Sequence, residues 1–506
     1  MFVKIMRHQT KTFFTFKNVK ISTRNISNRP DFTKNRYKIT RGNYNYLHEE
    51  HIHYFQNLLG ESRIVMDLSD LEKYNVDWFN QVRGCSSIVL KPKTTEEVSN
   101  ILRFCDLNKL AVCPQGGNTS VLGGSVPVFD EVIISTELMN EIVDLDEHSG
   151  VITCQAGCIL ENIDNYLETK GLIVPLDLGA KGTCHIGGNV STNAGGMRLI
   201  QFGNMHGNIL GIEAVKANGD VVDCLSTLKK DNTGYHLKHL FIGSEGTLGF
   251  VTKVALQCPA RPKFRNVAFL GLQNFVKVLK TFKLLRQRLA EILSAVEVID
   301  TPTMEFIKNV NSQNSPIGEY PFYLMIETSG SNERHDEEKL SGFFEEAIHK
   351  GLVLNGIVAN EPAKIQKIWS VRENIANGFK ARGSKMLQYD ISLPFKDYYN
   401  IMEPIREYTK DVSETVFGFG HMGDGNLHLQ IILKSDVTEK IRSKINDFVF
   451  EKILELKGSI SAEHGIGLLK AKYMDKIKPQ SSIKLMKSVK KLMDPNGILN
   501  PYKVLL

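Results

Sequence analysis

The chain has 506 residues, 42% of them hydrophobic, with 62 Lys and Arg against 56 Asp and Glu. That length predicts two or three domains with ample core, and no apolar run is long enough to span a membrane. The net charge of +6 comes from residues 1–30, where Lys4, Arg7, Lys11, Lys17, Lys20, Arg24 and Arg29 meet no acid; the near-neutral remainder argues against nucleic-acid binding by bulk charge.

The basic leader contains Ser and Thr and lacks the apolar stretch of a secretory signal, so residues 1–40 are read as a mitochondrial transit peptide. A disordered basic arm is the alternative. All eight cysteines fall between Cys85 and Cys258 without a C-x-x-C pair. Reduced, mostly buried thiols in an organelle matrix fit this spacing.

Residues 87–90 read as a short strand. A helix follows, with Thr94 and Glu97 as a capping box and Val98, Ile101, Leu102 and Cys105 on one face. Strands are predicted at 111–113 and 131–135, separated by a Gly-rich loop from Pro114 to Pro127. A helix over 160–170 carries Leu160, Ile163 and Leu167 and stops at Gly171. Further glycine clusters span 179–196 and 243–249. After Pro262 glycine thins and longer helices alternate with strands such as 322–328, which predicts a domain boundary near 262. A helix over 336–350 buries Leu340, Phe343, Ala347 and Ile348, and Asp436 with Glu439 caps another that ends near Gly458.

Pro114-Gln115-Gly116-Gly117-Asn118-Thr119-Ser120 follows a strand, and paired glycines let backbone N–H groups converge on a phosphate. Gly123-Gly124-Ser125 repeats the device, and Gly187, Gly188, Asn193, Gly195 and Gly196 supply a second wall. One such pair is more often a tight turn; three clusters in one domain favour a dinucleotide cradle. It is not a nicotinamide fingerprint. The only G-x-G-x-x-G, Gly418 to Gly423, leads into strand-like sequence where a helix is required.

His421 and His428 differ by seven positions, an odd offset that puts them on opposite faces of a single strand. They reach one ion only if Asp424-Gly425-Asn426 makes a turn. Glu463 completes the set if it ends a strand after Gly458, and His464 then sits at the rim, freed by Gly465 and Gly467. Two imidazoles and a carboxylate suit zinc, with iron or manganese possible. Ordinary turn and strand-end polar residues are the alternative, left open by spacing alone.

These segments bring a family into view. Asn75 to Trp78, Val82 to Cys85, Pro114 to Asp130, Pro175 to Gly182, Ile186 to Gly196, Lys230 to Tyr235, Gly243 to Gly249, Trp369 to Glu373, Gly420 to Leu429, Ser459 to Gly467 and Asp494 to Lys503 resemble one group. It is the FAD-binding oxidoreductase/transferase type 4 family, of the vanillyl-alcohol oxidase/PCMH-type flavin fold, and within it the mitochondrial D-2-hydroxyglutarate dehydrogenases. The resemblance implies an α+β fold. A PCMH-type FAD-binding domain of two α+β lobes (41–262) carries an α+β cap domain with an antiparallel sheet (263–480) and a C-terminal segment (481–506) that returns to the flavin through Asn500-Pro501.

It also implies FAD on the glycine loops, with Glu245, Gly246 and Asn500 beside it. The flavin should be non-covalent, because Asn118 stands where covalent members have histidine. Zn2+ is implied on His421, His428 and Glu463, with His464 as base and Arg372 on the substrate carboxylate. Three positions on the substrate side depart from the family: Ala376 replaces Thr, Gln388 replaces Lys, although Lys385 is close, and Gln430 replaces Asn. The activity implied is oxidation of D-2-hydroxyglutarate to 2-oxoglutarate in the matrix, with electron-transfer flavoprotein as acceptor. The departures leave D-lactate or another D-2-hydroxy acid open. A metal-dependent hydrolase and a flavin binder without turnover are the alternatives of other classes.

Overall fold

The structure, a computed structural model, describes residues 30–382 and 385–506, without the side chains of residues 376, 377 and 380–382. The basic segment up to residue 29 lies outside the described residues. From Pro30 the chain already packs on the body: Thr33 is buried and its amide donates to Arg83 O at 2.8 Å.

Two small sheets form the first half. β1 (Ile64–Val65), β2 (Val89–Leu90), α1 (Thr95–Leu107), β3 (Val112–Gln115) and β4 (Val132–Ser135) build a four-stranded sheet in the order β1-β2-β4-β3, parallel except for β1 with β2. Thr94 Oγ1 accepts from the Glu97 amide at 3.2 Å, as the capping pattern predicts, and Val98, Ile101, Leu102 and Cys105 are buried. The reciprocal half of the box is displaced by one residue, because Glu97 accepts from the Lys93 amide at 2.7 Å.

β5 (Ile142–Asp146), β6 (Val151–Gln155), α2 (Leu160–Glu168), α3 (Ile186–Ser191), α4 (Leu199–Phe202), β7 (Ile209–Val215), β8 (Val221–Cys224) and β9 (Phe250–Gln257) form the second lobe. Its sheet is antiparallel, in the order β5-β6-β9-β7-β8.

The second half is one antiparallel sheet of seven strands, in the order β13-β10-β12-β11-β15-β16-β14. The elements are β10 (Phe264–Leu272), α5 (Phe275–Arg288), β11 (Leu293–Asp300), α6 (Thr301–Asn311), β12 (Phe322–Gly330), α7 (Glu333–His349), β13 (Asn355–Ala359), α8 (Pro362–Arg382), β14 (Met386–Ser392), β15 (Ser413–His421), β16 (Asn426–Leu433), α9 (Glu439–Glu455) and α10 (Gln480–Met493). Strand alternation divides its side chains between two cores. Leu427, Leu429 and Ile431 join Phe282, Phe343 and Val449 under α5, α7 and α9. Phe417, Phe419 and Ile432 join Phe306, Trp369 and Ile375 under α6 and α8. His428 and Gln430 point to this second face, and that parity puts polar groups beside α8.

After α10 the chain returns to the first lobe. Val112 donates to Ile498 O and accepts from the Asn500 amide, both at 2.8 Å, so the C-terminal segment lies alongside β3. No helix among the described residues is long and apolar enough to cross a membrane.

Three local expectations are corrected. Ile348 is 64% exposed, because α7 starts at Glu333 and turns Leu340, Phe343 and Ala347 inward, leaving the residue after Ala347 on the solvent side. The α9 N-cap is Thr438 in extended backbone, two residues after Asp436, and the helix ends at Glu455. Glu463 does not end a strand. After Gly458 there is only an isolated bridge between Ser459 and Ser392, and 460–467 is loop.

Candidate active site

His421 closes β15 and His428 lies in β16, joined by a turn in which Gly425 has φ +81° and Asp424 Oδ1 accepts from the Asn426 amide at 3.0 Å. The hairpin pairs Phe419 with His428, so residues of opposite parity share a face across it. The offset of seven that separates the histidines on one strand therefore unites them on two. Their Nε2 atoms are 3.5 Å apart, and Glu463 Oε1 lies 3.8 Å from one and 3.7 Å from the other. A tetrahedral ion with bonds of about 2.0–2.2 Å sets its ligand atoms about 3.3–3.6 Å apart, so the triangle fits zinc after a small contraction.

Two buried carboxylates fix this triangle. Glu297, opposite His421 on β11, takes His421 Nδ1 at 2.5 Å with one oxygen and Arg372 Nε at 2.6 Å with the other. The first contact frees His421 Nε2 for an ion, the usual outer support of a metal-bound imidazole. The second aims Arg372, whose guanidinium also stacks 4.5 Å over Phe419. Burial opposes the charge on Glu297, but His421 and then Arg372 outweigh it and hold the carboxyl at about 2. Burial likewise lowers His421, yet Glu297 and Glu463 together carry it well above an ordinary imidazole. The carboxylates nearest His428 stand farther off, Glu463 at 3.7 Å and Asp390 at 3.9 Å. Burial first, then the neighbouring His421, pushes it down to about 3, which leaves a neutral imidazole ready to ligate.

Asp390, opposite His428 on β14, is the second carboxylate. Its Oδ2 accepts from the amides of Ala462, Glu463 and His464 at 3.1, 2.9 and 2.9 Å, and Asn426 Nδ2 donates to Oδ1 at 2.7 Å. His464 stands at the rim with its side chain 37% exposed, its ring inclined 23° to that of His428 with the centroids 6.0 Å apart. Gln430 is buried opposite Gln388, and its Oε1 has no partner among the described residues. Gln388 Nε2 lies 3.7 Å from Met386 Sδ. Lys385 does not compensate for the missing cation there: its ammonium bonds Ser435 Oγ at 2.9 Å in an exposed position. The side chain of Ala376, on α8, lies outside the described residues.

The glycine clusters converge. A Cβ on Gly116 would lie 3.5 Å from His185 Cβ and 3.8 Å from Gly188 Cα, and one on Gly117 would meet Thr183 O at 1.9 Å. The two walls thus touch through backbone. A Cβ on Gly188, by contrast, would meet nothing within 4 Å, which leaves space beside the loop. Asn193, at φ +51°, has a buried Oδ1 without a partner among the described residues, as has Gln115 Oε1. Open space at Gly188 and orphaned buried acceptors fit a bound polar cofactor.

Asn118, Ser120 and Ser125 shape the loop. Asn118 donates to Lys73 O and Val76 O and accepts from Ser125 Oγ, while Ser120 Oγ accepts from the Gly124 amide. Thr119 lies between them, half-buried. Gly123, at φ +68°, packs on Val82. Glu245, at φ +52°, accepts from Ile466 N at 2.7 Å and Gly467 N at 2.8 Å, so it ties the loop of Glu463 and His464 to the second lobe. Gly246 lies against Pro114, and Asn500 Nδ2 donates to Gly124 O and Glu245 O. The cleft and the triangle meet directly: Gly196 N donates to Glu463 Oε2 at 2.9 Å, and Gly195 faces the same oxygen.

Sequence reasoning missed Glu297 and Asp390, and read Asn426 only as part of the turn. The available signal was a lone acid inside an apolar strand, in Ala295-Val296-Glu297-Val298-Ile299 and Tyr389-Asp390-Ile391. A buried strand keeps such a charge only when something pairs with it.

Comparison with known proteins covers both halves. The family model for the FAD binding domain matches residues 86–225, and that for the C-terminal domain of FAD linked oxidases matches 261–504. The mitochondrial D-2-hydroxyglutarate dehydrogenase of Danio rerio is 51% identical, over 90% of this chain and 85% of that protein. That of Rattus norvegicus is 45% identical, over 95% and 90%. Among solved structures, p-cresol methylhydroxylase with substrate bound superposes with a TM-score of 0.72 at 16% identity, covering 90% of this chain and 96% of that one. The fold is the α+β PCMH-type flavoprotein fold that the motifs imply.

Proposed function

The chain belongs to the D-2-hydroxyglutarate dehydrogenase family of FAD-dependent enzymes, and on that premise we propose that it oxidises D-2-hydroxyglutarate to 2-oxoglutarate in the mitochondrial matrix. The observation that carries this reading is the Gly196–Glu463 hydrogen bond, which joins the glycine-lined cleft to the imidazole–carboxylate triangle. The residues fit both groups that the family implies. The loops around Gly116, Gly124 and Gly188 would hold FAD without a covalent bond, and the flavin would supply the hydride acceptor. His421, His428 and Glu463 would hold zinc, which would supply Lewis acidity toward the substrate hydroxyl.

The protein's own groups do the rest. Arg372, aimed by Glu297, receives the C1 carboxylate and fixes the orientation of C2. His464 stands free enough at the rim to take the hydroxyl proton as the C2 hydride departs. The burial of His421 and His428 shields the ligand side chains themselves from bulk water. Electrons then leave to electron-transfer flavoprotein, the acceptor implied by family resemblance. Asn118 supports a dissociable flavin, because its amide is committed to two backbone carbonyls.

A second reading has its own observation. Gln388 and Gln430 offer the distal end of the substrate neutral amides, and Lys385 turns to Ser435. A distal carboxylate loses its charge-assisted partner, which favours a shorter 2-hydroxy acid such as D-lactate. Anaerobic mixing of the FAD-loaded protein with D-2-hydroxyglutarate, D-lactate and D-malate separates the two. The first should bleach the flavin fastest; bleaching by D-lactate alone transfers the assignment to the shorter acid.

A further inference from the structure

Glu463 and His464 sit on a loop without regular secondary structure, yet the proposed chemistry needs both held to a fraction of an ångström. Asp390 supplies that precision. It lies in β14, inside the sheet, with its side chain 2% exposed. Three consecutive loop amides, those of Ala462, Glu463 and His464, converge on its Oδ2 at 3.1, 2.9 and 2.9 Å. Asn426 Nδ2, from the first residue of β16, holds Oδ1 at 2.7 Å and also donates to Ile391 O at 3.0 Å. The same carboxylate stands 3.6 Å from His464 Nδ1 and 3.9 Å from His428 Nδ1.

We propose that Asp390 is the positioning residue of the site: it seats Glu463, His464 and His428 at once by anchoring the 462–464 backbone to the sheet. A competing use is that Asp390, Glu463 and His464 themselves hold a second cation, since their ligand atoms are close enough. The contacts argue against it. Asp390 Oδ2 already accepts three amides, and Glu463 Oε1 stands 3.8 and 3.7 Å from the Nε2 atoms of His421 and His428, so both carboxylates are committed elsewhere. Three N–H groups aimed at one buried carboxylate oxygen are the anion-binding arrangement of a backbone nest, here filled by the protein's own side chain.

The inference rests on the dehydrogenase reading for its kinetic arm but not for its metal arm. Asp390→Asn, prepared as holoenzyme, removes the charge and turns one of the two acceptor oxygens into an NH2, so the loop amides and Asn426 Nδ2 no longer both find an acceptor and the loop loosens without a large change in volume. Zinc affinity, measured by chelator competition without substrate, should fall by about 10- to 100-fold, the usual cost of removing an outer support of metal ligands. With zinc saturating, kcat for the 2-hydroxy acid should fall by about 100-fold while KM changes less than about threefold, because His464 is misplaced but Arg372 is not. FAD content and the flavin spectrum should match the parent protein. Parental zinc affinity together with parental kcat overturns the proposal, as does a loss confined to KM. Should Asp390→Asn fail to fold, Asn426→Ser decides: a smaller fall in kcat at constant KM is expected, and unchanged kcat and zinc affinity overturn it. If the wild-type protein bleaches with no 2-hydroxy acid, the dehydrogenase reading fails and the zinc arm alone still tests Asp390.

Discussion

Replacing His464 by glutamine should slow flavin reduction by the 2-hydroxy acid about 100- to 10,000-fold while KM stays within a few fold, the loss expected for a general base that does not bind substrate in the ground state. The geometry supports both halves. His464 is 37% exposed at the rim, where a substrate hydroxyl can reach it, and His421 and His428 are buried with the triangle behind it. Arg372, the proposed partner of the substrate carboxylate, comes from a different element, α8, and is held by Glu297. Rapid mixing under anaerobic conditions, following flavin absorbance, reads the rate. A variant that bleaches at the parental rate removes His464 as base, and a variant that loses KM with unchanged kcat makes it a binding residue.

Glu297→Gln should do more damage over a wider range, because one carboxylate serves two cations. Its side chain is 1% exposed, and the substitution leaves His421 Nδ1 without its anion and Arg372 without its aim. Breaking a buried pair by removing one partner costs about 3–5 kcal/mol, so the metal-free variant should melt well below the parent. The pH dependence follows from the sign of the shift. A carboxyl held at about 2 in the fold contributes stability that is fully present above its unfolded value. That contribution is lost as pH falls from about 4.3 toward the folded value. His421 runs the other way: its raised value contributes stability below the ordinary imidazole range and loses it as pH rises through the folded value. Thermal melts of the metal-free parent should therefore drop steeply on acidification below about pH 4.3, and those of Glu297→Gln should fall less steeply, because only the shares of Asp390 and Glu463 remain. Equal slopes in the two proteins contradict the pairing.

The chemistry-bearing residues were readable where local rules place them. Asp424-Gly425 announced the turn that reverses the parity of His421 and His428, and the glycine pairs announced a backbone cradle. Thr94 was readable as a cap because its partner is three residues away. Asp436 was misread for the same reason in reverse: the spacing to Glu439 suits a box, but Thr438 holds the extended backbone next to the helix. Glu297 and Asp390 escaped because their partners are remote. Glu297 pairs with residues 75 and 124 positions away, and Asp390 with amides 72 to 74 positions on. Such contacts are set by the order of strands in the seven-stranded sheet, and sheet register is a tertiary property that no local window contains. Glu245 is a related case. The family resemblance implies that it lies beside the flavin, and its carboxylate has a further role that no local pattern announces: it closes the loop of Glu463 and His464 onto the second lobe.

That closure is what makes one site from two domains. It is tested most directly by stripping the metal with a chelator while FAD stays bound, and then following anaerobic bleaching by D-2-hydroxyglutarate. Stripped protein that retains its flavin spectrum should lose bleaching by at least about 100-fold and recover it on addition of zinc. Full-rate bleaching without the metal would separate the His421–His428–Glu463 triangle from the flavin reaction and contradict the account.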